Sequence, residues 1–185
     1  IYNPWFEKQG IDAVVVPMGV KPVDYAGTLA ALARVTNLKG ALVTMPHKVT
    51  TLSLADEITP TARIAGACNA LLLRPDGTWL GDQFDGSGFV RGLLRKGRSL
   101  RGARVIVSGA GGVGSAIAAS LAAEGVAHIS LYDTCAASAD GLAERLRAHY
   151  PQLVVPPGSN DPAGFDVVVN ATPLGMKEGN PLPFE

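Results

Sequence analysis

A run of glycines between a short apolar stretch and an alanine-rich stretch constrains the fold of this chain more than any other feature. Residues 105–108 predict a buried strand and residues 115–124 predict a helix, so the loop 109–114 must turn directly from one into the other. This pattern is the fingerprint of dinucleotide-binding proteins, in which the first N–H groups of the helix can bind a pyrophosphate. We therefore expect the whole loop to hold the cofactor: Gly109, Ala110, Gly111, Gly112, Val113 and Gly114.

Each of the three fingerprint glycines has a separate physical reason to lack a side chain. Gly109 allows the tight turn, Gly111 lets the backbone approach the pyrophosphate, and Gly114 lets helix and strand pack closely. Residues 128–133 predict the next strand, and Asp133 stands about 20 residues beyond the glycines, where a carboxylate can bind ribose hydroxyls. The segment therefore predicts an α/β, Rossmann-type doubly wound nucleotide-binding domain.

The composition favours small-molecule chemistry. The 185 residues suit one large or two small domains, 47% of them are hydrophobic, and the formal net charge is zero. No run of like charges favours nucleic acid or an anionic membrane surface, and no apolar run approaches the roughly 20 residues of a membrane span. We expect a cytoplasmic protein, and the sequence leaves open whether it forms a homodimer. We expect no metal site, because no metal-ligand spacing links Cys68, Cys135, His47, His128 and His149.

The first half of the chain predicts alternating strands and helices. Residues 11–17 and 38–44 have the apolar character of strands, whereas residues 23–35 and 49–58 follow helical spacing. Such alternation is typical of a parallel sheet whose ligands gather beyond the carboxyl ends of its strands. We therefore expect a smaller α/β domain before the nucleotide-binding domain.

A polar, basic segment at residues 96–102 predicts the boundary between these domains, at 1–97 and 98–185. Before it, two strands joined by a Pro-Asp-Gly turn span residues 67–81, and a helix with a glycine-rich start spans 86–94. After the second nucleotide strand, the pattern predicts a helix at 137–150 and strands at 153–156 and 165–170.

Two residues at predicted strand ends are candidates for proton transfer. A nicotinamide enzyme that acts on a secondary alcohol needs a group that exchanges the hydroxyl proton while hydride moves. An unperturbed lysine is protonated at neutral pH, which would suit Lys48 to donation to a carbonyl oxygen, and Asp85 can accept from a substrate hydroxyl. We expect a charge-coupled pair, and the sequence leaves the proton unassigned between the two.

Five blocks of sequence span nearly the whole chain: Thr44-Met-Pro-His-Lys48, Gly66-Ala-Cys-Asn-Ala-Leu71, Gly81-Asp-Gln-Phe-Asp-Gly-Ser-Gly88, the loop 109–114, and Asn170-Ala-Thr-Pro-Leu-Gly-Met176. In order and spacing they resemble the motifs of the shikimate/quinate dehydrogenase family. The resemblance implies a substrate domain, a nucleotide domain and an active-site cleft between them. It also implies reversible oxidation of a ring hydroxyl in a shikimate- or quinate-like cyclic acid.

The resemblance also implies roles for individual residues. Lys48 and Asp85 would be the catalytic pair and would contact the substrate, while Thr44 and Asn69 would hold substrate hydroxyls. The nicotinamide side of the cofactor would be lined by Asn170, Thr172 and Met176.

The chain departs from the family pattern near the expected site. Gln83 and Phe84 stand where the family usually has Asn-Thr, and Ala70 stands where it commonly has Thr. If Phe84 faces the cleft, a polyhydroxylated ring such as shikimate binds poorly; the alternative is that Phe84 points into the core. The family's N-terminal Ser-rich loop and its C-terminal segment with a substrate-binding Gln are absent from the sequence, so we expect a partial chain from a divergent member.

The residues after the second nucleotide strand predict a preference for NAD over NADP. NADP-using members of the family have an Asn-Arg-Thr type sequence here, whose Arg meets the 2′-phosphate, whereas this chain has Asp133-Thr-Cys. A carboxylate repels a phosphate, and no Lys or Arg lies between Asp133 and Arg145. The alternative is that Asp133 only caps the following helix.

Two other functions stay open. One is a methylenetetrahydrofolate dehydrogenase-like enzyme, which joins a similar nucleotide domain to an N-terminal substrate domain. The other is a non-catalytic NAD-binding regulatory protein. The turn with Lys48 and the block with Asp85 favour the shikimate/quinate group over the first, and the presence of both residues argues against the second.

Overall fold

The computed structural model describes residues 1–156 and 158–184, which form two sheets flanked by helices. The strands are β1 (Gly40–Leu42), β2 (Glu57–Ile58), β3 (Ala70–Leu73), β4 (Trp79–Asp82), β5 (Arg104–Ser108), β6 (His128–Tyr132) and β7 (Val167–Asn170). The helices are α1 (Tyr2–Gln9), α2 (Tyr25–Leu32), α3 (Lys48–Leu54), α4 (Pro60–Ala65), α5 (Asp85–Arg95), α6 (Gly112–Ala123) and α7 (Ala136–His149), and a 3-10 turn at Pro22–Asp24 precedes α2.

The first sheet is four-stranded and mixed, in the order β1-β3-β4-β2. β3 pairs antiparallel with both β1 and β4, whereas β2 runs parallel to β4. The parallel sheet expected for the first half is therefore wrong. Its β3–β4 connection is a tight turn that reverses the chain, instead of a helical crossover. At this turn Thr78 donates its N–H and its hydroxyl to the Asp76 carboxylate, and Gly77 has a φ of +84°.

Residues 11–17, expected as a strand, form no strand in the described part of the chain. Both backbone groups of Val15 bond to the side chain of Asn3: the N–H donates to Oδ1 at 2.7 Å, and the carbonyl accepts from Nδ2 at 3.1 Å. A strand needs a neighbouring strand for these groups, and here the side-chain amide of a helix residue satisfies them instead. Val14 and Val16 are exposed, so the apolar run does not mark a buried element.

Other boundaries also differ from the predictions. The helix expected over 49–58 ends at Leu54, because Ala55 is extended, and residues 57–58 then pair with β4. Residues 153–156 contribute a single bridge, between Val154 and His128, instead of a strand. The short helices α1 and α4 have no counterpart in the sequence predictions.

The second sheet is parallel throughout, in the order β6-β5-β7, and it confirms the Rossmann-type architecture. Val105, Ile106 and Val107 of the central strand are fully buried, as expected for a parallel strand covered on both faces. Gly125 ends α6 with a φ of +83° and donates its N–H to the Ala122 carbonyl at 3.0 Å. The loop 109–114 thus lies at the carboxyl end of the central strand, where such sheets bind ligands.

Helices from the first half of the chain pack directly on elements of the second half. Gly86 of α5 lies so close to α6 that a Cβ there would be 2.0 Å from the Ala116 carbonyl oxygen. Ile64 of α4 and Val90 of α5 are buried in the same cluster as β5. The division into residues 1–97 and 98–185 stays a prediction, because this buried cluster contains residues from both parts of the chain.

Candidate active site

The centre of the candidate site is an ion pair between the first residues of two helices. Lys48 begins α3 and Asp85 begins α5, and the Lys48 Nζ lies 2.5 Å from the Asp85 Oδ2. The side chains are 14% and 28% exposed, so each is largely buried and still open to a ligand. The fold therefore brings together the two residues that the sequence marked for proton transfer.

Asn69 orients the second oxygen of the same carboxylate. Its Nδ2 donates to the Asp85 Oδ1 at 2.6 Å, and its Oδ1 accepts from the Phe84 N–H at 2.9 Å. The Asn69 N–H donates to the Asp82 carbonyl, and the Asn69 carbonyl accepts from the Val43 N–H. Because both ends of the Asn69 amide are bonded, Asp85 is held by a cation on one oxygen and by a fixed amide on the other.

Gln83 holds the backbone of Asp85 through a hydrogen bond, a role that the sequence analysis missed. Gln83 is 1% exposed, and its Oε1 accepts from the Asp85 N–H at 3.0 Å. Its own N–H donates to the Asp82 Oδ1, which also accepts from the Thr59 hydroxyl. The first N–H of a helix has no partner within the helix, so the Gln83 amide oxygen supplies the acceptor that the helix itself cannot.

A polar network also holds the turn that precedes Lys48. The Tyr25 ring stacks on the His47 ring, with centroids 4.1 Å apart, and its hydroxyl lies 2.7 Å from the Thr51 Oγ1. Thr51 donates to the His47 carbonyl, so Tyr25 donates to Thr51. Burial raises the pKa of Tyr25, which keeps the phenol neutral and able to donate. His47 itself bonds through Nε2 to the Val20 carbonyl, so the turn is held on two sides.

Thr44 and Phe84, the other two residues expected near the substrate, are exposed. The N–H of Val43 pairs with the Asn69 carbonyl, which places Thr44 one residue beyond that contact. Phe84 is 54% exposed, so the alternative that it points into the core is wrong. Both side chains are therefore open to solvent, and their contact with a substrate stays a prediction.

The glycine loop has the shape that a dinucleotide requires. Gly109 has a φ of +100°, and a Cβ there would lie 2.8 Å from the Ala171 carbonyl group. At Gly114 a Cβ would lie 1.8 Å from the Gly109 oxygen, whereas at Gly111 no described atom lies within 4 Å. Gly109 and Gly114 lack a side chain for packing, and Gly111 leaves open space. The open space faces a helix N-terminus that no described side chain caps, so the loop fits a pyrophosphate.

Asp133 fastens this loop to the end of β6. Its Oδ2 accepts from the Ala110 N–H at 2.7 Å, and its Oδ1 accepts from the Cys135 N–H at 2.8 Å. The alternative that Asp133 only caps α7 is thus too narrow, because one oxygen holds the loop. Each oxygen keeps a second lone pair for a ribose hydroxyl, and that role stays a prediction. Arg145, the next cation along the chain, instead donates to the Ile64 carbonyl at 2.9 Å.

The residues expected beside the nicotinamide form a bonded turn after β7. The Asn170 Oδ1 accepts from both the N–H and the hydroxyl of Thr172, and the Asn170 Nδ2 donates to the Leu174 carbonyl. The Thr172 Oγ1 accepts from the Leu174 N–H. These polar groups therefore shape the turn, while Met176 is 76% exposed. Contact with a nicotinamide stays a prediction for all three residues.

The two halves of the site lie next to each other. A Cβ on Gly112 would lie 3.4 Å from the Ala67 Cβ, so the glycine loop contacts the segment that leads to Asn69. Within residues 1–156 and 158–184, none of the helices combines the length and apolar character that a membrane crossing needs. In the same ranges no three His, Cys, Asp or Glu side chains gather as metal ligands do.

Comparison with known proteins places this site in a family. The family model of the shikimate dehydrogenase substrate binding domain matches residues 1–71. A shikimate dehydrogenase (NADP(+)) of Rubrobacter xylanophilus is 36% identical over 187 residues, covering 100% of this chain and 66% of the relative. One of Rhodospirillum rubrum is 35% identical over 191 residues, covering 100% and 67%. The chain belongs to the shikimate dehydrogenase family. It spans about two thirds of the length of these relatives.

Solved structures agree with this membership. Shikimate 5-dehydrogenase from Listeria monocytogenes, in complex with shikimate and NAD, superposes with a TM-score of 0.86 at 27% identity, covering 95% of this chain and 64% of that one. The ligand-free 5-ketofructose reductase of Gluconobacter sp. strain CHM43 superposes with a TM-score of 0.82 at 31% identity, covering 97% and 66%. These names support a nicotinamide dinucleotide as cofactor. They do not support the expected preference for NAD, because both curated relatives are named for NADP(+).

Proposed function

We propose that the protein transfers hydride between a nicotinamide cofactor and a ring hydroxyl of a shikimate- or quinate-like cyclic acid. Residues 1–97 would bind the substrate and residues 98–185 the cofactor. The observation that carries the proposal is the cluster of Lys48, Asp85 and Asn69, with contacts of 2.5 and 2.6 Å, beside the glycine loop. A nucleotide site alone would suit many enzymes, whereas an acid–base pair at its edge suits a dehydrogenase acting on an alcohol.

In this proposal Lys48 exchanges the proton of the reacting oxygen, while the nicotinamide, when bound, accepts or returns hydride. Lys48 can turn one N–H toward that oxygen and keep another on Asp85, because an ammonium group has three donors. The Asp85 carboxylate keeps lone pairs for a neighbouring substrate hydroxyl, and Asn69 fixes its orientation. The buried bond from Gln83 to the Asp85 N–H holds the start of α5 in place.

Replacing Lys48 tests the mechanism directly. Loss of a positioned acid–base group costs about a hundredfold to ten-thousandfold in rate, so Lys48→Ala should lose most turnover and still bind the cofactor. Turnover would be followed by nicotinamide absorbance with shikimate, quinate, 5-ketofructose and methylenetetrahydrofolate as substrates. Cofactor binding would be measured separately by calorimetry.

Two comparisons make this test specific. Lys39 is an exposed lysine just before β1, and Lys39→Ala should leave turnover unchanged. Asp85→Asn should also lower turnover, and the double variant of Lys48 and Asp85 should lose less than the product of the two single losses. Turnover of Lys48→Ala within a few-fold of the parent would remove Lys48 from the mechanism. A parent protein that binds cofactor and turns over no substrate of the panel would favour the non-catalytic alternative.

We further propose that the substrate is not shikimate itself. Phe84 is exposed and directly precedes Asp85 in the chain, at a position where the family usually has Thr. An aromatic ring there replaces the Thr hydroxyl and adds bulk. A substrate hydroxyl left unpaired costs about 1–3 kcal/mol of binding. An analogue that lacks one hydroxyl, carries an amino group or bears an apolar substituent would then bind better than shikimate.

The proposed cofactor preference is for NAD, against the names of the curated relatives. Its support is local: the Asp133 carboxylate sits at the loop, and residues 134–144 contain no Lys or Arg. Arg145 is bonded to the Ile64 carbonyl in the other half of the chain. A 2′-phosphate beside Asp133 would therefore meet a carboxylate and no balancing cation from this segment.

A further inference from the structure

Arg145 joins the two halves of the chain through a hydrogen bond that the proposed mechanism does not use. It lies on α7, and its Nε donates to the Ile64 carbonyl of α4 at 2.9 Å, although the two residues are 81 positions apart in sequence. Ile64 is 4% exposed, and its carbonyl is one of the last of α4, which have no partner within their own helix. Arg145 therefore supplies a buried carbonyl with the donor that α4 lacks.

The donor that Arg145 replaces is the N–H of Cys68. In a continued helix this N–H, four residues after Ile64, would donate to the Ile64 carbonyl. Gly66 instead ends α4 in the left-handed conformation, with a φ of +68°, and the Cys68 N–H donates to the Lys48 carbonyl at 2.9 Å. The bond from Arg145 thus satisfies the end of α4, while the N–H that α4 does not use holds the backbone of the candidate acid–base lysine.

The segment 66–69 also connects the end of α4 to the carboxylate of the site. Ala67 and Cys68 are fully buried, and the next residue, Asn69, donates from its Nδ2 to the Asp85 Oδ1 at 2.6 Å. A displacement at the end of α4 would therefore reach two bonds of the candidate site. One holds the backbone of the lysine and the other holds the side chain of the aspartate.

Arg145 brings a charge into a partly buried place that offers it no carboxylate. Among residues 1–156 and 158–184, the ion pairs are Lys48 with Asp85 and Arg74 with Glu57. Burial lowers the pKa of Arg145, because desolvation disfavours the charged form. The last carbonyls of a helix carry partial negative charge and commonly accept from arginine. The guanidinium is therefore stabilised by the end of α4 and not by a salt bridge in these residues.

We propose that Arg145 is a positioning residue for the candidate acid–base pair, because its bond to α4 fixes the segment 66–69. In this role it touches neither the substrate nor the cofactor, and it acts through Cys68 and Asn69. The inference rests on the proposed hydride transfer for what the pair does, whereas the hydrogen bonds that it concerns can be measured without any reaction.

Two variants on the same helix provide the kinetic test. Arg145→Met keeps an unbranched side chain without donors, and Arg147→Met is its matched control, because Arg147 also donates to a backbone carbonyl, that of Val155 at 2.6 Å within the second half. With a substrate that the parent turns over, Arg145→Met should lower kcat about tenfold and change the cofactor KM less than about twofold. Arg147→Met should leave both within about twofold, and Arg145→Lys, which keeps a charged donor, should recover part of the lost kcat.

Amide NMR spectra of the whole chain give a readout that needs no turnover. The Asn69 side-chain amide and the Cys68 N–H report directly on the two bonds that hold the acid–base pair. We expect both resonances to shift in Arg145→Met and to keep their positions in Arg147→Met. Thermal unfolding of each variant would set a temperature at which parent and variants are all folded, and every comparison would be made there.

Three outcomes would overturn the inference. Unchanged resonances of Asn69 and Cys68 in Arg145→Met would mean that the strands beside the segment hold it without α4. An equal loss of kcat in Arg147→Met would mean that any weakening of α7 has the same effect. A raised cofactor Kd with unchanged kcat in Arg145→Met would mean that Arg145 serves the cofactor. A parent that turns over no substrate would contradict the proposed function instead, and the NMR comparison would still decide this inference.

Discussion

Alanine at Gly114 should destabilise the protein even in the absence of cofactor. A Cβ at this position would lie 1.8 Å from the Gly109 oxygen and 2.9 Å from its carbonyl carbon. Carbon–oxygen contacts are ordinarily no shorter than about 3.3 Å, so the loop or the start of α6 would have to move by about 1.5 Å. Overpacking of this kind costs about 1–3 kcal/mol.

Alanine at Gly111 should have the opposite signature. No described atom lies within 4 Å of a Cβ there, and the residue has a φ of −72° and a ψ of −173°, which alanine adopts without strain. Reduced freedom of the unfolded chain should even stabilise the variant by about 0.4–1 kcal/mol. The new methyl group occupies the space that a pyrophosphate needs, so the cofactor dissociation constant should rise at least about tenfold.

Thermal unfolding and nucleotide titration of both variants would separate these effects. In a chain of this length each kcal/mol shifts the melting temperature by about 2–4 °C, so Gly114→Ala should melt lower than the parent and Gly111→Ala should not. Gly111→Ala that loses stability but binds nucleotide normally would refute the assignment of that glycine to the ligand. Gly114→Ala as stable as the parent would refute the packing argument.

Three further predictions concern the cofactor, the substrate and the thiols. Thr134→Arg should shift the ratio of kcat/KM for NADP over NAD upward by about tenfold or more, because it supplies the missing cation, and equal efficiency of the parent with both cofactors would contradict the expected NAD preference. Phe84→Thr should raise kcat/KM for shikimate by roughly ten- to a hundredfold, whereas a parent that already uses shikimate best would contradict the altered pocket. At pH 8 Ellman's reagent should modify the exposed Cys135, whose pKa is lowered by hydrogen bonding to Ser138, before Cys68, whose pKa burial raises to about 11. Only about one in a thousand Cys68 thiols is then ionised, and rapid modification of both thiols in the folded protein would contradict this order.

The nucleotide-binding half could be predicted from sequence because its signals are local. β5 is a short β-branched run, and the loop that follows contains glycines at positions where any side chain would collide or block a ligand. The need for glycine at positions 109 and 114 comes from neighbours that lie only a few residues away or next to the adjacent strand. Such constraints appear in the sequence as residue types at fixed spacing.

The first half was harder, because its structure depends on distant partners. Residues 11–17 read as a strand from their composition, and only the position of Asn3 shows why they do not pair as one. The candidate pair of Lys48 and Asp85 could be named from position and resemblance, but their direct contact could not. Gln83 was visible only as a departure from a pattern, since nothing local shows that a side chain is buried under a helix start.

The bond from Arg145 to the Ile64 carbonyl bears on how this protein could be recombined with its relatives. The Arg145 guanidinium of α7 reaches the carboxyl end of α4, and a Cβ on Gly66 would be 3.4 Å from it, in van der Waals contact. A chimera that joins residues 1–97 of one family member to residues 98–185 of another would separate these partners. A chimera would therefore have to take α4 and α7 from the same parent, although 70 residues of sequence lie between them.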